Sequence, residues 1–417
     1  MSSPIWHPFT QHGLDEPIPT IVAADGAVLE TADGRRIIDA ISSWWVTTHG
    51  HRHPRIMQAI AEQTGRLDQI IFAGWTHEPA EAVARELVRI MPAPLTRIFF
   101  SDSGSTSVEV ALKMALGFWA NRGTPRRRIV TLDHGYHGDT VGGMSIGARG
   151  VFNRTYEPLL FEVDTLPFPG PGHEQQTLAS LDRLCRLPDP PAALIVEPLI
   201  LGAGGMLIYS SAVLAEMRAL CSRHDILFIA DEVMTGWGRT GTLLACQQAG
   251  IVPDLLCLSK GLTGGALPLA VTMATEEIFE AHRSRDRTRM FFHSSSYTAN
   301  PIACAAALAN LEIWRDEPVL DRIAALAARQ ADQLEALADV PAIANRRCLG
   351  TIAAFDVAAP DGGYLSSLGP RLFAAFRERD ILLRPLGNTL YVMPPYCIAP
   401  EELGRVYAAI REVAGSL

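Results

Sequence analysis

Short, almost wholly apolar runs recur through the middle of the chain, each followed at once by polar or glycine-rich residues. Ile98 to Phe100, Ile129 to Leu132, Ala192 to Val196, Ile226 to Ala230 and Leu255 to Leu258 are such runs. Their lack of alternation predicts strands buried on both faces of a mostly parallel sheet. Helical patterns lie between them, over Val108 to Ala120 and from about Ala212 to Ser222. Alternating strands and helices predict an α/β fold, in which ligands gather beyond the carboxyl ends of the strands. After residue 320 the texture changes. Leu320 to Leu337 is an Ala/Leu-rich amphipathic helix, strand-like pieces follow near Thr351 to Val357 and Leu390 to Met393, and helices are expected near 369–379 and 400–415. Near the start, Gly26 to Thr31 and Arg36 to Asp39 have hairpin character around Ala32-Asp33-Gly34. The expected organisation is a large domain over 61–320 and a smaller α+β domain over 321–417, with the segment 1–60 folding beside the smaller one.

Composition narrows the class. The 417 residues are 48% hydrophobic and 19% charged, enough for a sizeable core. The formal net charge is −9, and the densest basic stretch, Arg126-Arg127-Arg128, leads into a predicted strand. Neither points to nucleic acid. No apolar run approaches the ~18 residues of a membrane span, and the N-terminus lacks the pattern of a secretion signal. Seven scattered cysteines with no C-x-x-C pair argue for a reducing compartment, so a cytoplasmic protein without structural zinc is expected.

Two of the predicted strand ends carry complementary chemistry. Asp231 follows Ala230, and Lys260 stands two residues beyond Leu258. Neighbouring strands would bring this carboxylate and amine into one crevice, the pair that pyridoxal 5′-phosphate (PLP) requires. The amine binds the cofactor covalently, and the carboxylate keeps the pyridine nitrogen protonated. Taken singly, each also reads as an ordinary cap or a solvated side chain. A third piece is Ser101-Asp102-Ser103-Gly104-Ser105-Thr106-Ser107, small residues between a strand and a helix, where free N–H groups favour a phosphate. It is not a Walker loop. The fourth is His134-Gly135-Tyr136-His137-Gly138-Asp139-Thr140, whose aromatic ring could cover a flat cofactor. Its two histidines lack a third metal ligand nearby, so no metal site is expected.

Tyr136-His137-Gly138, Asp231-Glu232-Val233 through Gly236-Trp237-Gly238-Arg239-Thr240-Gly241, and Ser259-Lys260-Gly261 together resemble the class III PLP-dependent aminotransferases. The likeness spans nearly the whole chain. It implies the type I PLP-transferase fold, with a mostly parallel central sheet and a smaller domain formed by both chain ends. Trp6-His7-Pro8-Phe9-Thr10, Ser42-Ser43-Trp44-Trp45, His49-Gly50-His51-Arg52-His53-Pro54, and Arg384-Pro385-Leu386-Gly387 leading to Tyr391 resemble one branch of that family. Its members aminate 8-amino-7-oxononanoate to 7,8-diaminononanoate in biotin biosynthesis, with S-adenosylmethionine as donor.

The resemblance implies a role for each matching residue. Lys260 would hold the cofactor and shuttle the proton, Asp231 would partner the pyridine nitrogen, and Tyr136 would cover the ring. Gly104 and Ser105 match the phosphate-binding turn. Ser294, Ser295 and Ser296 match a loop that reaches the neighbouring subunit's site in the family's dimers, where Ser295 and Ser296 meet the phosphate. A homodimer with composite active sites is therefore expected. Arg384 would grip a substrate carboxylate, Trp44, Trp45 and Tyr391 would line the substrate tunnel, and Asp139 and Arg239 would stand close by. Two positions depart from the pattern: Phe9 stands where a tyrosine is usual, and Ser296 where a threonine is. The donor stays open between S-adenosylmethionine and lysine. Two other functions share much of the pattern, an ω-amino-acid:pyruvate or aminomutase activity and a non-catalytic PLP-fold protein. The first needs no Ser-Ser-Trp-Trp stretch, and the second needs no intact Asp231–Lys260 pair.

Overall fold

The structure is a computed structural model that describes residues 3–14, 16–359 and 364–417. The expected segment 1–60 thus has residues 1, 2 and 15 outside the described part. At its centre is a seven-stranded sheet in the order Leu95–Ser101, Ala270–Thr275, Leu255–Leu258, Leu227–Asp231, Ala193–Val196, Ile129–Leu132 and Asp164–Leu166. Four neighbouring pairs run parallel, and Ala270–Thr275 runs antiparallel to both its neighbours. That strand and Asp164–Leu166 were not among the sequence expectations. The five apolar runs that were all appear in the sheet, with ends shifted by up to three residues.

Alternate residues of each strand serve opposite faces. Val130, Leu194, Phe228 and Leu256 join one core cluster, while Ile129, Ile195, Ile229 and Leu255 join another beneath the helix Gly104–Asn121. Both faces are covered, which is why these runs show no polar alternation. The helix begins four residues before the expected Val108 because Ser103 caps it, its hydroxyl accepting from the Thr106 N–H at 3.2 Å. Gly104 and Ser105 therefore lie in the first helical turn and not in the preceding loop.

The two chain ends share structure. Val28–Thr31 and Arg36–Asp39 form the expected hairpin, with Leu29 opposite Ile37. The turn needs a left-handed residue, which Gly34 supplies at φ +84°. Ile381–Leu382 adds to that hairpin in parallel. Ile343–Leu349, Ile352–Val357 and Thr389–Val392 form a separate antiparallel sheet. The helices Val319–Glu335, Leu368–Glu378 and Pro400–Gly415 pack on these strands, and Ile38 and Ala40 share their core with Phe355, Phe376 and Ile410. Among the described residues no helix is long and apolar enough to cross a membrane.

Candidate active site

Register places the chemistry. Asp231 is the last residue of its strand and pairs with Cys257 on one side, so Lys260 emerges three residues farther along the neighbouring strand. On the other side Ala230 pairs with Val196, so Glu197 stands beside Asp231. Ile129–Leu132 follows, and its outgoing loop brings Tyr136 and His137. Four strand ends thus converge on a cavity of about 380 Å³. Lys260, Asp231, Tyr136, Gly104, Ser105, Asp139, Trp44, Trp45 and Phe9 all line it, and so do His137 and Glu197.

Lys260 is built under constraint. Its backbone sits at φ 44°, the left-handed region that costs a side-chain-bearing residue energy. Its amine lies 4.7 Å from the Trp45 ring centroid. Burial lowers its pKa to about 8, against the pull of Asp231 and Glu197. Asp231 is equally fixed. Its Oδ2 is 2.7 Å from His137 Nδ1, and its Oδ1 accepts from the Val233 N–H at 3.1 Å. Burial opposes a charge on His137, but the hydrogen bond and charge of Asp231 outweigh it and raise the pKa above the usual histidine value. Glu197 accepts from the Tyr136 N–H at 2.9 Å and from the Gly202 N–H at 3.0 Å. Burial lifts its carboxyl to about 7, with Asp231 adding and His137 opposing. The Tyr136 hydroxyl donates to Asp139 at 3.1 Å, and burial raises its pKa.

The opposite wall comes from the chain ends. Ser42, Ser43 and Trp45 all adopt positive φ, a turn that Asp39 holds from below. The buried Asp39 carboxylate accepts from the Ile41 and Ser43 N–H groups and the Ser43 hydroxyl, and meets His51 Nε2 at 2.9 Å. Trp45 Nε1 donates to the Tyr391 hydroxyl at 2.9 Å. Phe9 leans on Trp44 with ring centroids 5.5 Å apart. The Arg384 guanidinium lies 5.4 Å from the Trp44 ring centroid and donates to the Phe9 carbonyl at 3.1 Å.

Some sequence-derived residues stand away from the cavity. Arg239 is fully buried behind Trp45, donating to the Pro394 carbonyl at 3.0 Å and the Thr47 carbonyl at 2.8 Å. No carboxylate pairs with it among the described residues, and burial lowers its pKa. Tyr391 is likewise buried behind Trp45. Ser294, Ser295 and Ser296 lie at the sheet edge, where the Ser295 hydroxyl donates to Asp102 and Gln69 Nε2 donates to the Ser296 carbonyl at 2.8 Å. No motif in the sequence marks Glu197 or Asp39 as a site residue, and taken alone His137 reads there only as a candidate metal ligand. Glu197 follows directly after an apolar strand, the same signal that marked Asp231.

A larger cavity, about 730 Å³, lies between the helix Glu78–Ile90 and the strand Leu95–Ser101. Among the described residues its lining holds no lysine, and its Arg97 is paired with Glu276 at 2.6 Å. It offers no amine–carboxylate pair for this chemistry.

Comparison with known proteins fits this geometry. The aminotransferase class-III family matches residues 10–413. The adenosylmethionine-8-amino-7-oxononanoate aminotransferase of Synechococcus elongatus is 49% identical, over 98% of this chain and 98% of its own. The protein of that name from Nitratidesulfovibrio vulgaris is 39% identical over 98% of this chain and 79% of its own. Among solved structures, the adenosylmethionine-8-amino-7-oxononanoate aminotransferase of Methanocaldococcus jannaschii superposes with a TM-score of 0.94 at 32% identity, covering 99% of this chain and 97% of that one. A PLP-bound amine transaminase from an uncultivated Pseudomonas species gives 0.93 at 31% identity, covering 100% and 99%. The chain belongs to the class III aminotransferases.

Proposed function

We propose that this enzyme transfers the amino group of S-adenosylmethionine to 8-amino-7-oxononanoate, giving 7,8-diaminononanoate for biotin biosynthesis. The observation that carries this reading is the 49% identity, over nearly the full length of both chains, to a relative bearing that name. The direct test is to incubate the PLP-loaded protein with both substrates and detect the diamine by mass. Product with S-adenosylmethionine supports the reading. Turnover only with ω-amines and pyruvate would move the enzyme to the activity of its amine-transaminase neighbours.

The residues present fit PLP, the cofactor of the family. Gly104 and Gly138 both line the cavity, and a Cβ on Gly104 would collide with Val233 and one on Gly138 with Ser105, so only glycine lets these backbone segments pack this closely at the cavity edge. The first N–H groups of a helix have no partner within it, and those of Gly104 and Ser105 would hold the phosphate. Asp231, steadied by His137, would face the pyridine nitrogen, and Tyr136 would cover the ring. When bound, PLP supplies an electron sink that makes the bond beside the transferred nitrogen easier to break.

The chain's own groups do the rest. Lys260 would bind the cofactor and, released from it, carry a proton away from the substrate carbon and return it. Burial favours the neutral amine that this task needs. Glu197 fixes the Tyr136 main chain and hence the loop carrying the ring. Trp44, Trp45 and Phe9 present an apolar aromatic wall suited to the aliphatic acceptor. Arg384, beside Trp44, would take the acceptor's carboxylate in a bidentate grip. Asp139 would meet substrate near the Tyr136 hydroxyl. Arg239 and Tyr391 would support this wall from behind, Arg239 by holding the Thr47 carbonyl and Tyr391 by accepting from Trp45.

We also propose a homodimer in which Ser294, Ser295 and Ser296 complete the partner's site, Ser295 and Ser296 at the phosphate. Large exposed side chains near that loop support it: Phe292, Tyr297, Ile71 and Trp75 are each more than half exposed in the single chain. Sedimentation should show a dimer at assay concentration, and a fully active monomer would contradict it. A cytoplasmic location and the division at residues 60 and 320 complete the proposal.

A further inference from the structure

The reacting cavity has a neighbour. A second chamber, about 340 Å³, shares Tyr136, Gly138, Asp139 and Ala203 with it. Its far side carries Phe152 and Tyr364, whose ring centroids stand 4.3 Å apart. Phe152 also meets Phe9 at 6.2 Å, so one aromatic run links the two chambers.

The donor poses a problem of space. The first chamber must take the cofactor together with the reacting end of each substrate. S-adenosylmethionine is long, with an amino-acid end, a sulfonium and a nucleoside in succession. With its amine directed at Lys260, the sulfonium lies only a few bonds away and the nucleoside follows directly. The Asp139 carboxylate stands on the wall common to both chambers, where that cation would pass. Asp139 is exposed in the single chain, so the attraction is modest in water and grows as the bound donor covers the carboxylate. Beyond it, a flat purine suits the faces of Phe152 and Tyr364, because every base offers a π-face to an aromatic ring. The oxo acid has no such group and needs only the first chamber and Arg384.

We infer that the second chamber seats the adenosine end of the amino donor, so that one lysine serves two differently shaped substrates through two branches of one cavity. This rests on the proposed donor, and the test separates the two. Gly150→Leu should fill the chamber, since a Cβ there meets nothing within 4 Å. Tyr364→Leu removes an aromatic face instead. In the PLP-loaded variants the KM for S-adenosylmethionine should rise about tenfold, while the KM for 8-amino-7-oxononanoate stays within about twofold. Equilibrium dialysis of adenosine alone gives a readout independent of turnover. Wild type should bind it, S-adenosylmethionine should displace it, and Gly150→Leu should lose it. If both KM values rise in step, or neither moves and adenosine binding persists in Gly150→Leu, the inference is overturned while the function stands. If wild type makes no product from S-adenosylmethionine, the donor assignment falls. Dialysis then decides the chamber: adenosine binding that Gly150→Leu abolishes upholds it as a nucleoside seat, and no binding by wild type overturns it.

Discussion

The two sides of the reacting cavity are made in different ways. The floor is the ends of parallel strands, where Asp231, Glu197 and Lys260 are set by main-chain register and buried. The facing wall comes from the chain ends, where Phe9 and Trp44 remain nearly half exposed and are held by ring contacts and the Arg384 guanidinium. A register cannot shift by part of a residue, so the floor is rigid. A wall of packed side chains can change shape at small cost. The difference assigns chemistry to the floor and substrate choice to the wall. Floor substitutions should therefore act on kcat, and wall substitutions on KM.

The largest effect should come from the floor. Lys260→Ala should lose turnover by at least ~10²–10⁴-fold through proton transfer alone, and more through loss of the covalent link. Borohydride reduction of the loaded wild type should fix the cofactor on the peptide containing Lys260, and label on another lysine would break the assignment.

Next comes a pH effect on the protein freed of PLP. Lys260 titrates near 8 when folded and near its ordinary 10.5 when unfolded. Between those values the unfolded chain binds the extra proton, so this residue's contribution to stability rises with pH across that window. The gain should be on the order of a few kcal/mol. Urea midpoints of wild type minus those of Lys260→Met should show that slope, and parallel curves would mean the amine is not buried as described.

The wall predictions are smaller. Arg384→Ala should raise the KM for the oxo acid roughly ten- to a hundredfold, the worth of a charge-assisted hydrogen bond or two. Arg384→Lys should recover only part, because an ammonium cannot form the fork. Unchanged affinity in both variants would place the carboxylate elsewhere. Phe9→Tyr should change the kinetics by no more than about tenfold, the worth of one neutral hydrogen bond. Phe9→Ala should do more harm, through its contact with Trp44. If Phe9→Ala matches wild type under the same donor, the N-terminal segment does not shape the site.

The floor was more legible in the sequence than the wall. An apolar run ending in Asp231, and another ending just before Lys260, describe two buried strands and what they present. The same rule would have found Glu197 after Val196, yet Pro198 and the apolar residues beyond it hid that strand's end. The helix at Gly104 was placed too late because its first turn is made of small polar residues with no hydrophobic period, and only the Ser103 cap marks its start. Asp39 was invisible because its partners lie in a turn of left-handed residues that no periodicity describes. The wall residues Phe9, Trp44, Trp45 and Arg384 came from family resemblance, since contacts between the two chain ends leave no local pattern. Resemblance also grouped Arg239 and Tyr391 with the site, whereas burial and hydrogen bonding set them one layer behind it.

One floor lysine is proposed to pass nitrogen from S-adenosylmethionine to the oxo acid. The most direct measurement uses S-adenosylmethionine carrying nitrogen-15 in its α-amino group, with 8-amino-7-oxononanoate and the PLP-loaded enzyme. The 7,8-diaminononanoate formed should bear the label in one of its two amines. Diamine without the label, or no diamine while the enzyme still transaminates ω-amines, would contradict it.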